Sequence, residues 1–194
     1  MRSGRHERRI GELHETTIAE TGRCDQSQHD AMQAIGALMD DKTLNNLTLS
    51  SWAATVWEKE LRGVPLQLQE SALAWCMRQH ADWRNFWNNL NNHATVETQR
   101  ATNMLVHIYN DAAVKLQLQS NNPPEICEFH EAMRRKGFSE MDALHAIAYV
   151  LQELNWNAKT TGTTFDQQQY IDRTRRYVEN VMEHPDLLRG LRVV

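Results

Sequence analysis

The chain has 194 residues, 41% of them hydrophobic and 24% charged, with a net charge of −4. That is the make-up of an ordinary globular protein long enough for a proper core. The balance of 21 basic against 25 acidic residues argues against nonspecific nucleic-acid binding, which needs a basic footprint. Only 8 Gly and 4 Pro are present, too few for a β-sandwich with many tight turns, and no stretch reaches the roughly 20 apolar residues of a membrane span. Cys24, Cys76 and Cys127 stand far apart with no CxxC pair, which supports neither a zinc ribbon nor a disulfide framework. No apolar run follows the N-terminal arginines, so no signal peptide is read and a cytoplasmic location is expected.

In chain order, residues 1–23 mix Arg and Glu around Ile10, Leu13 and Ile18, a marginal helix that needs a partner surface. Arg2, Arg5, Arg8 and Arg9 read as a solvated tail. Gln26 to Met39 is a better helix, with Met32, Ile35 and Met39 on one face. The polar run Asp40 to Asn46 divides an N-terminal helical extension, 1–45, from a helical core domain, 46–194. Ser50 or Ser51 caps the next helix, which carries Trp52, Ala53, Val56 and Trp57 until Gly63 and Pro65 interrupt it. Leu66 to His80 follows, with Leu68, Ala72, Trp75 and Cys76 facing inward. Trp83, Phe86, Trp87 and Leu90 then repeat at helical spacing, an aromatic stripe read as core. The longest helix runs from Thr95 to Gln119.

The stretch from Asn122 to Trp156 reads as two helices joined by a sharp turn. Asn122 caps the first, with Pro123 at a position where a missing N–H costs nothing. Arg134, Arg135 and Lys136 suit the negative end of its dipole, and Gly137 supplies the left-handed residue that ends it. Ser139 caps the second helix, with Asp142 in the capping-box position. There Leu144, Ile147, Ala148, Leu151 and Leu154 recur at helical spacing. Thr160 to Thr164 is a loop around Gly162. A last helix starts near Asp166 and breaks at Pro185.

One polar column stands out on the long helix. His107 and Asp111 fall one turn apart in line with Met104, Val114 and Leu118, inside an apolar face. A lone imidazole and a lone carboxylate are costly to bury unless they pair or bind something. His145 lies mid-helix in the hairpin, at the edge of its apolar stripe, with Glu153 roughly 80° away around the helix. His130 falls beside Ile126, Phe129 and Met133. If the stripe Leu105, Ile108, Ala112 meets Leu144, Ile147, Leu151, then His145 approaches His107 and Asp111. Two readings stand. The group is a buried hydrogen-bonded network without metal, or His107, Asp111 and His145 form a metal site suited to iron, zinc or manganese. No nucleophile elbow, phosphate loop or HExxH motif is present.

The stretch from Trp57 to Trp156 resembles a family of small bacterial proteins, domain of unknown function 1841. Trp57, Lys59, Gly63, Leu66 and Glu70 look like its opening pattern. His80, Asp82 and Trp83 look like its His–acid–aromatic step. His107, Gln117, Pro123 and Pro124 look like its long helix and proline break, and Ala143, His145, Leu151, Glu153 and Trp156 look like its closing pattern. Asp111, Met141 and Leu116 stand where the family usually has His, His and Glu. The resemblance implies a helical domain with a His-rich, metal-suited centre, altered here by those replacements.

The fold is therefore expected to be all-α, an irregular bundle of about six to eight helices around the long helix and the αα-hairpin. The leading reading is a small cytoplasmic helical protein with a mononuclear metal site at His107, Asp111 and His145. The alternative is a helical interaction or regulatory module without catalysis, binding a protein partner or a second copy of itself. Its surface would be the N-terminal 45 residues or the tryptophan-rich segment Trp75–Leu90.

Overall fold

Helix-forming residues at helical spacing fold into seven α-helices among the described residues. The structure is a computed structural model and describes residues 42–91 and 99–190; for 42–48 and 189–190 it describes the backbone alone. The helices are α1 (Lys42–Leu61), α2 (Leu68–Gln79), α3 (Arg84–Asn88), α4 (Gln99–Ser120), α5 (Pro124–Arg135), α6 (Glu140–Thr161) and α7 (Gln167–Glu183), with 3-10 turns at Ala81–Trp83 and Pro185–Gly190. No strand occurs among the described residues. The N-terminal extension read over 1–45 lies outside them, apart from the first residues of α1.

The long helix α4 is the centre. It packs against α1, α2, α5 and α6, and α6 packs in turn on α5 and α7. Leu105, Ile108 and Ala112 of α4 are buried, as are Leu144, Ile147 and Leu151 of α6. Each large aliphatic side chain removed from water in this way contributes about 1.5–3 kcal/mol. Polar anchors complete the packing. The Tyr109 hydroxyl donates to the Leu49 carbonyl at 2.6 Å, and the buried Tyr170 hydroxyl donates to Gln117 Oε1 at 2.9 Å. Residues read as family motif serve this frame: Lys59 of α1 pairs with Glu70 of α2, and Trp57 Nε1–H donates to Asn88 of α3 at 2.7 Å.

The hairpin turn is built as its sequence indicates. Gly137 sits at φ +93°, and the Phe138 N–H reaches back to the Met133 carbonyl at 3.2 Å, which closes the first helix. Ser139 Oγ accepts from the Asp142 N–H at 3.0 Å. Other boundaries differ. Pro123, not Asn122, holds the cap position of α5, and α6 runs a turn beyond Trp156 to Gly162 at φ +69°. The polar run Lys42–Asn46 is helical, so Ser50 and Ser51 lie inside α1 rather than at its start. The helix runs through Thr43, Asn45 and Asn46 although these are weak helix formers, so local propensity and capping do not set its start. Leu68 is the first residue of α2 and is exposed rather than inward, where the helix begins just after the exposed residues 61–65. Trp75 is half-buried, with the Lys115 ammonium 3.8 Å from its ring centre. The aromatic stripe is split between the 3-10 turn and α3: Trp87 and Leu90 are core, while Trp83 and Phe86 are half-buried.

Candidate metal centre

Three segments supply the site. The i,i+4 spacing on α4 puts His107 and Asp111 on one face, aimed between α2 and α6. His145 Nε2 comes from α6 to within 3.2 Å of Asp111 Oδ2, and His107 Nε2 lies at the same distance. The fourth member is His80, the residue that terminates α2. Its Nε2 stands 3.0 Å from His107 Nε2 and 3.5 Å from Asp111 Oδ2. One donor atom from each of the four residues lies within 4.8 Å of all the others.

The electrostatics follow from burial. Asp111 is fully buried, at 0% exposure, and the three imidazoles are nearly so, at 11–14%. Burial works to raise the Asp111 carboxyl, but hydrogen bonds from His107 and His145 outweigh it, and the group stays ionised below its ordinary value. Three nitrogens crowd Oδ2, whereas Oδ1 is buried with no hydrogen-bond partner. The carbonyl of Cys76 lies 2.9 Å from His80 Nδ1. A carbonyl only accepts, so Nδ1 donates. Burial also lowers the His80 imidazole below the usual histidine value, against the pull of that carbonyl and of Asp111. Neutral His80 with its proton on Nδ1 presents a bare lone pair at Nε2, which is the state a metal ligand needs.

An aromatic wall flanks the cluster. The Trp83 ring lies 4.7 Å from that of His80 and 5.3 Å from that of His107. Trp87 packs edge-on behind Trp83 and is anchored by its Nε1–H on the Met77 carbonyl at 3.1 Å.

The structure thus brings His107, Asp111 and His145 together and adds His80, which the helical periodicity did not reveal. His80 ends a helix, where spacing no longer tells which way a side chain points; its place in the His–acid–aromatic step was the available signal. His130 does not join the cluster, and Glu153 pairs with Arg173 at 3.0 Å. Met141, where the resembled family usually has a histidine, is half-buried and is not part of the cluster.

The fold and the site together define an all-α domain with a buried cluster of three histidines and one aspartate, set between its central helix and two neighbours. The chain belongs to the family described as Domain of unknown function (DUF1841), whose model matches residues 46–176. No curated protein matches the chain, and no solved structure does. Among the described residues, no helix is long and apolar enough to cross a membrane.

Proposed function

We infer that this protein carries a mononuclear divalent metal ion, iron, zinc or manganese, held by His80, His107, Asp111 and His145. The observation that carries the reading is the convergence of four donor atoms around a fully buried carboxylate whose second oxygen has no partner. Four of the six donor pairs lie 3.0–3.5 Å apart, spacings that suit donors sharing one cation, and all six lie within 4.8 Å. Ligands at about 2.0–2.1 Å from a metal lie about 3.3–3.4 Å apart in a tetrahedron and about 2.9–3.0 Å apart at neighbouring octahedral corners. Three imidazoles and a carboxylate without thiolate suit borderline divalent ions. A proton can bridge one donor pair; a cation satisfies all four residues at once and balances the buried negative charge.

Such an ion would pin α2, α4 and α6 to one another, and its binding energy would appear as folding energy. It would act as a Lewis acid wherever its coordination sphere stays open. Metal analysis of the purified protein, followed by reloading after chelation, tests the reading. About one equivalent of iron, zinc or manganese per chain is expected under a 1:1 site. A chain that takes up none under reloading holds a hydrogen-bonded cluster instead. Free thiols at Cys76 and Cys127 suit a reducing compartment, and the cytoplasm is the location we assign.

The interaction-module reading draws on a separate observation. Leu61, Val64 and Leu68 are exposed at 65%, 39% and 50% around the α1–α2 turn, and Trp156 at 61%. A monomer at all concentrations in light scattering, with no captured partner, would count against it.

A further inference from the structure

We propose that Trp83 is a movable cover over the metal centre, controlling how fast the cation enters and leaves; the proposal rests on the metal reading above. Three observations carry it. First, the indole touches two of the four ligand residues at once, tilted at 32° against His80 and edge-on at 67° to His107. Second, Asp111 is wholly buried at 0% exposure, while Trp83 is half-buried and reaches the surface. The indole therefore lies on the side of the cluster nearest the surface, against imidazoles that keep 11–12% exposure. Third, Trp83 is held differently from its neighbours. Trp57 and Trp87 are each pinned through Nε1–H, to Asn88 and to the Met77 carbonyl. Trp83 Nε1–H makes no hydrogen bond to a described residue, and its ring contacts His80, His107 and Trp87.

Its backbone is fixed where its side chain is not. The Trp83 N–H donates to the His80 carbonyl at 2.9 Å, so cover and ligand share one 3-10 turn. Rotation about the side-chain bonds would swing the ring off the imidazole edges without moving His80. Such a rotation needs no backbone movement, and the aromatic pair contacts that hold the closed position are individually modest. While closed, the indole keeps water from the cluster and so strengthens the electrostatic grip of Asp111 on the cation.

The test uses the full chain loaded with cobalt(II), whose absorption reports its ligands, and follows release to an excess of a chromogenic chelator. Trp83→Ala should release cobalt about tenfold faster than wild type, equivalent to about 1.4 kcal/mol on the barrier. Trp83→Phe retains a ring at the same place and should fall within about threefold of wild type, about 0.65 kcal/mol by the same conversion. The cobalt spectra of the three proteins should coincide, since no ligand changes, and thermal melts confirm folding. Equal release from wild type and Trp83→Ala overturns the cover while leaving the metal reading intact. Faster release from Trp83→Phe equal to that from Trp83→Ala also overturns it, since any truncation would then suffice. Wild-type protein that takes up no cobalt overturns both.

Discussion

His145 Nε2 and Asp111 Oδ2 lie 3.2 Å apart although 34 residues separate them in the chain. The contact joins the central helix to the closing helix of the hairpin through the one fully buried carboxylate of the cluster. Asp111→Ala should therefore act on stability and on metal at once. It strips His107 and His145 of their acceptor, a loss of about 1–3 kcal/mol for polar groups left unpaired in a buried setting. A chelator should lower the melting temperature of wild type and leave that of Asp111→Ala unchanged. An equal chelator effect on both would remove Asp111 from the ligand set.

His80→Ala tests whether the site has four members or three. If His80 is a ligand, its loss should weaken zinc binding by more than the about 10–100-fold typical of removing an outer-sphere partner. Isothermal titration of wild type, His80→Ala and His107→Ala with zinc measures this. Comparable losses at both positions place His80 on the metal; a loss confined to His107→Ala would make His80 a neighbour only.

The pair Lys59–Glu70 predicts a pH dependence independent of metal. The Lys59 ammonium and the Gln67 N–H hold the Glu70 carboxyl below its ordinary value of 4.5, against the effect of burial. A depressed carboxyl contributes stability that is fully present above the unfolded value and is lost as pH falls through the lower folded value. Glu70→Gln should therefore cost about 1 kcal/mol near neutrality, a partly exposed Lys59 limiting the gain from the pair. The gap between variant and wild-type melting temperatures should close as pH drops below 4.5. A gap that persists at lower pH would show that the charge is not responsible.

Gly137 isolates a backbone effect. At φ +93° a Cβ would meet no atom within 4 Å, so Gly137→Ala has no clash and only the conformational penalty, about 1–2 kcal/mol. Urea unfolding should show a lower midpoint with an unchanged slope.

Much of this fold was legible because helices announce themselves by period and by punctuation. Ser139 with Asp142, Gly137 and Gly162 mark chain reversals through local chemistry that tertiary packing does not override. His107, Asp111 and His145 were legible for a related reason: each sits mid-helix on the flank of an apolar stripe, so matching the stripes brings the polar residues together. His80 and Trp83 lie where that logic stops. One ends α2 and the other ends a 3-10 turn, and their directions depend on how α2 packs against α4, a relationship no local pattern encodes. The polar start of α1 lies beyond the same logic: Ser50 and Ser51 could cap a helix, yet the helix begins earlier, through residues of weak helix propensity.

The four residues proposed as ligands lie on α4, α6 and the end of α2, so α1 and α7 lie outside the span a cation would tie. With a cation bound, the His80–His107 and Asp111–His145 intervals, 27 and 34 residues long, become closed loops. Under a force applied to the two chain ends, α1 and α7 would peel away first and lengthen the chain at a load indifferent to metal. The interior from His80 to His145 would then resist as one clamped unit until the coordination bonds gave way. A single molecule held between two beads would yield in steps, and only the step that opens this interior would disappear into the others when a chelator is washed through.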